Sequence, residues 1–139
     1  METGSGRVVI PPVMLIQVED AMDVMIARNT ARRAASLLGF ASASRAQIAT
    51  AVAALVDIII GVGTTQTIHL HGIRNGMDIG IQVSCEAPWL ASASTDNALT
   101  ALRSKLGETV DEVNLEPGAP PRIIMILWLN PDRTAQHAG

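Results

Sequence analysis

From Arg7 to Gln17 the chain is apolar and β-branched, but Pro11 and Pro12 stand in the middle of the run. Proline has no N–H to give to a ladder, so the segment is predicted as an edge strand or two short pieces. Glu19-Asp20 then opens a helical pattern. Ala21, Val24, Met25, Arg28, Ala31, Ala35 and Leu38 recur at three- and four-residue steps, and Asp23, Arg32 and Arg33 fall off that stripe. Acids in the first turn suit the helix dipole, and Gly39 is a suitable terminator.

Ser42 or Ser44 can cap a second helix reaching about Ile60, apolar almost all round from Ile48 and so expected to be central and buried. Gly61 and Gly63 end it. Thr65 to His71 and Met77 to Val83 alternate like strands around an Arg74-Asn75-Gly76 turn. Asp96 to Leu106 reads as a third helix. Thr109 to Leu115 and Arg122 to Leu129 read as a second hairpin around Glu116-Pro117-Gly118. The run Ile123 to Leu129 lacks alternation, which predicts a strand covered on both faces. The order is strand, helix, helix, two strands, helix, two strands. It predicts an α/β (α+β) two-layer sandwich, with a mixed, mostly antiparallel sheet covered on one face by helices. No repeat or linker divides the chain. It is read as a single domain over 1–139, with a core at about 7–129 and a frayed tail over 130–139.

Composition narrows the function. The chain is 48% apolar and 17% charged, with Phe40, Trp89 and Trp128 as its aromatics, so the core rests on aliphatic side chains and alanine. A net charge of −3 without a basic cluster lacks the footprint of a nucleic-acid binder. Arg32-Arg33 is the densest basic spot and is expected at the surface. The single cysteine, Cys85, excludes an internal disulfide and suits a reducing cytoplasm. Met1 to Gly6 shows no signal-peptide pattern, and Ala51 to Gly63 is too short to span a bilayer. The expectation is a soluble, cytoplasmic protein that contacts neither membrane nor nucleic acid.

Two stretches carry a family resemblance. Ala34-Ala35-Ser36-Leu37-Leu38-Gly39-Phe40 ends the first helix, and Ile48-Ala49-Thr50-Ala51-Val52 leads into Ala54-Leu55-Val56-Asp57-Ile58-Ile59-Ile60 in the second. With the element order, this resembles the anti-sigma-factor/serine-kinase family of bacterial partner-switching (stressosome-type) systems, within the histidine-kinase-like ATPase superfamily. The match runs over Val18 to Leu129 and is densest from Arg28 to Ile60. The resemblance implies the histidine-kinase-like ATPase fold.

It also implies a nucleotide pocket that this chain has lost. Where the family carries a Glu that acts on the attacking group and, four residues on, an Asn that helps bind magnesium, this chain has Ala54 and Ile58. Alanine takes no proton and isoleucine offers no oxygen to magnesium. Asp57 is one residue, about 100°, off that face. The family's Asp-x-Gly-Pro-Gly, which holds adenine, is here Cys85-Glu86-Ala87-Pro88-Trp89. Cysteine is a poor acceptor, and Ala87 and Trp89 replace glycines. Trp89 either fills the vacated adenine site or lies as a partly exposed loop residue. No glycine occurs from Glu86 to Leu106, where the family has its phosphate lid, and Pro120-Pro121 replaces a Gly-Thr step.

The reading is therefore a non-catalytic regulator, a pseudokinase, without cofactor, metal or catalytic residues, that acts by binding proteins. The resemblance implies partners of the antagonist type (sulfate-transporter/anti-sigma-antagonist domains), PP2C-type phosphatases or a sigma factor, with a homodimer also open. The first helix and the old lid are the expected contact faces. The alternative is an active ATP- and magnesium-dependent serine/threonine protein kinase using Asp57, Glu86 or Asp96. A third reading turns the emptied cleft, at Ala54, Ile58 and Ala87, over to a small hydrophobic molecule. His69 and His71 share a strand face, but only Cys85 and His137 could complete a zinc set, so they are expected to be a surface pair. Met22 and Met25 are expected to fill gaps in the core.

Overall fold

The computed structural model describes residues 7–91 and 95–129. The tail expected over 130–139 lies outside these residues. The chain forms β1 (Arg7–Val18), α1 (Asp23–Leu37), α2 (Ser42–Gly61), β2 (Gln66–Asn75) and β3 (Asp78–Glu86). A 3-10 turn (Pro88–Leu90), α3 (Thr95–Leu106), β4 (Glu112–Glu116) and β5 (Arg122–Trp128) follow. The strands make one sheet in the order β1-β2-β3-β5-β4. Every pairing is antiparallel, so the sheet is not mixed among the described strands.

β1 is a single edge strand, and the two prolines are accommodated by a register shift between Ile10 and Val13. α1 starts later than the pattern suggested. Asp20 accepts from the Met22 N–H at 2.9 Å, and the Asp23 carboxylate accepts from the N–H groups of Glu19 at 2.7 Å and Asp20 at 3.1 Å. Those bonds use the acids to build a turn ahead of the helix. At its other end the Gly39 N–H reaches Ser36 O and the Phe40 N–H reaches Ala35 O, both at 3.0 Å, a Schellman closure.

Neither Ser42 nor Ser44 caps α2: the N-cap is Ala41, and no side chain caps it. At 20 residues α2 is long and apolar enough, by length and composition, to cross a membrane. Here its Ile48, Val52, Leu55, Val56 and Ile59 lie in the main core cluster. In the first hairpin Asn75 still pairs with Asp78, so the turn is Gly76-Met77, one residue later than the Asn-Gly pattern indicated. Gly76 has φ 63° and Met77 does not share the left-handed region, as a type II′ turn requires.

Helices cover one sheet face, against which Ile68, Leu70, Ile81, Val83, Ile123 and Met125 pack. Each such aliphatic side chain contributes about 1.5–3 kcal/mol on burial. β5 is covered on both faces, as its unbroken apolar run indicated: Ile123, Met125 and Leu127 lie in the main cluster, and Ile126 is fully buried outside it.

The far face is shaped by a clasp. β1 and β4 are opposite edges, four strand spacings apart, or about 19 Å in a flat sheet. Yet Arg7 Nη2 donates to Glu112 Oε1 at 3.0 Å. Two side chains cannot span that width, so the sheet curls and its helix-free face is concave. Trp128 completes the clasp: its Nε1–H donates to Glu112 Oε2 at 2.7 Å, and the Arg7 guanidinium carbon lies 5.7 Å from its ring centre. The ring lies over Gly80, where an added Cβ would stand 2.8 Å from Trp128 Cε3.

Candidate functional site

The apolar residues singled out by the resemblance lie on the helix side of the sheet. Ala54 and Ile58, one helical turn apart on α2, are half-buried and packed against the core cluster that contains Cys85 and Ala87. Asp57 is exposed, as its position on the helix required. Pro88 is exposed, and Trp89 is half-buried against the same cluster, on the 3-10 turn that follows β3. The Ala87 N–H donates to Pro121 O at 2.7 Å, joining the two segments where the resembled motifs fail. Ala87 has φ −133°, so no left-handed backbone demands glycine there.

Burial pushes the Cys85 thiol up to about 12, against a smaller opposing pull from Arg122. A thiol held protonated is neither a nucleophile nor a metal ligand at neutral pH. Glu86 is exposed and leaves the sheet on the concave side, away from Cys85. The side chain of Asp96, and residues 92–94 of the expected lid, lie outside the described residues. His69 and His71 do share a face, half-buried in the concave side rather than on the hairpin tip, while Cys85 is on the opposite side of the sheet. His137 lies outside the described residues. No group of three or more His, Cys, Asp or Glu residues is placed to hold a metal among the described residues.

Met22 and Met25, expected to fill gaps in the core, stand in solvent instead. Met22 is 81% exposed and Met25 64%, with Ile26 and Leu37 also outside. α1 buries Ala27, Ala31, Ala34 and Ala35, and these small residues let it lie close to α2. Arg28, Arg32 and Arg33 accompany the exposed apolar group, giving α1 a basic, methionine-bearing outer surface.

Sequence reasoning missed the inside of the curl. There a cleft of about 520 Å³ is lined by Arg7, His71, Gln82, Asn114, Glu116 and Arg122, with Ile124 and Leu115 as its apolar part. Arg122 Nη2 donates to Ser84 Oγ at 3.0 Å, and its Nε–H is buried without an acceptor among the described residues. An unsatisfied buried donor costs about 1–3 kcal/mol, more when charged. Gln82 Nε2 lies 3.4 Å from His71 Nε2. Burial, with lesser repulsion from His69 and Arg122, holds His71 below its ordinary value and outweighs the bond to Gly72 O. The imidazole is therefore neutral at pH 7.

No protein-family model and no curated protein matches this sequence.

Proposed function

We propose that this chain is a non-catalytic regulatory protein of a cytoplasmic partner-switching pathway, acting by protein binding after loss of an ATP site. One observation carries the reading. The positions that would supply the base, the magnesium ligand, the adenine acceptor and the flexible glycine are Ala54, Ile58, Cys85 and Ala87. The first two are half-buried against the apolar core and the last two lie within it. None can move a proton at neutral pH or bind magnesium.

Support for binding comes from α1. Met22, Met25 and Ile26 cost solvation where they stand, and methionine adapts its shape to a partner surface. Arg28, Arg32 and Arg33 beside them favour a partner with an acidic rim. An antagonist-type domain, a PP2C-type phosphatase or a sigma factor are the partner classes that the resemblance suggests.

Calorimetry with magnesium and ATP tests the reading. No heat is expected at millimolar ATP, and stoichiometric capture of an antagonist-type protein should proceed without phosphate transfer. Micromolar ATP binding, followed by phosphorylation of a partner serine, would replace it with the kinase reading.

A further inference from the structure

The geometry points to a second site, independent of the α1 surface: the cleft inside the curled sheet binds a small organic carboxylate, with Arg122 as its anchor. All five strands contribute to its lining, Arg7 from β1, His71 from β2, Gln82 from β3, Arg122 from β5 and Asn114 from β4. Its volume, about 520 Å³, is within the usual size range of ligand pockets, though its lining is more polar than most.

The charge arrangement selects the ligand. Arg7 is engaged by Glu112, so its charge is matched. Among the described residues Arg122 has no such ion pair. Glu86 and Glu116 flank it in register on the neighbouring strands, but both are exposed, and the guanidinium donates instead to the buried neutral hydroxyl of Ser84. Beside it His71 carries no charge and Gln82 offers an amide. A guanidinium that forms no ion pair among the described residues is completed by a carboxylate, whose two oxygens fit the planar fork. Ile124, half-buried in the same wall, gives the short chain of such an acid an apolar surface to lie on. The exposed Glu116 at the rim disfavours large polyanions.

Titration of the full chain with sodium butyrate, followed by amide and arginine Nε–H chemical shifts, tests the inference. Sodium chloride at matched ionic strength and butylammonium chloride serve as controls. Saturable shifts are expected at His71, Gln82, Asn114 and Arg122 with butyrate alone. Arg122→Gln should abolish them and Arg122→Lys should weaken them by keeping charge without the fork. Asn114→Asp, at an exposed position, should weaken them by adding a second carboxylate beside Glu116 in the cleft lining, while leaving Arg122 and the melting transition in place. Shifts no larger than those from chloride, or butyrate shifts undiminished in Asn114→Asp, would overturn the site.

Discussion

Asp23 shows how one side chain sets an element boundary. Its carboxylate accepts from two backbone N–H groups ahead of the helix, and those bonds hold it below its ordinary value of 3.8. A carboxylate with a lowered folded value binds protons less readily folded than unfolded. Its stabilisation is therefore full above the ordinary value and is lost as pH falls through the folded one. Asp23→Asn should melt at a lower temperature than the parent at neutral pH, and the gap should close as melts are taken down to about pH 2. A constant gap across that range would mean that the carboxylate charge contributes nothing. The acids of this segment were legible as a helix start, but their bonding was not: the sequence permits Asp20 or Asp23 to serve either the helix or the turn before it.

At the scale of elements, the order of strands and helices was readable because glycine and proline punctuate it and the periodicity between them is plain. The burial of α1 was legible in part: the stripe included Ala31 and Ala35, which are fully buried, but also Met25 and Arg28, which are exposed. Hydropathy favours Met25 over Ala27 as a core residue, yet the helix turns its alanines inward because a close approach to α2 leaves no room for longer side chains. Ala31 is fully buried there. Ala31→Leu should destabilise the protein by about 1–3 kcal/mol in urea unfolding, the usual cost of overpacking a filled interface. An unchanged midpoint would show that α1 and α2 can separate freely. The same limit applies to the sheet. Alternation assigns each strand residue a face, but it gives no sign that Arg7 and Glu112, on opposite edges, meet across the concave side. The positions that the resemblance singles out could be named from the sequence because they are contiguous in α2 and across the end of β3. The cleft could not be, because register alone brings His71, Gln82, Arg122 and Asn114 together.

The whole molecule separates its two candidate surfaces. The cleft lies on the helix-free side, and the exposed face of α1 belongs to the opposite layer. A change on one can therefore leave the other intact, provided the core between them holds. Met25 and Ile26 are both largely exposed, so replacing them together with lysine removes no core contact and should alter unfolding free energy by no more than about 0.5 kcal/mol per site. Two added cations also strengthen the basic character of α1, so any loss of binding to an acidic-rimmed partner must come from the apolar contact itself. The expected outcome is loss of partner capture with an unchanged melting temperature and unchanged butyrate shifts at the cleft. Capture that survives the double substitution would move the partner surface off α1. A fall in melting temperature would show instead that these side chains are covered in solution, as by a second copy of the chain.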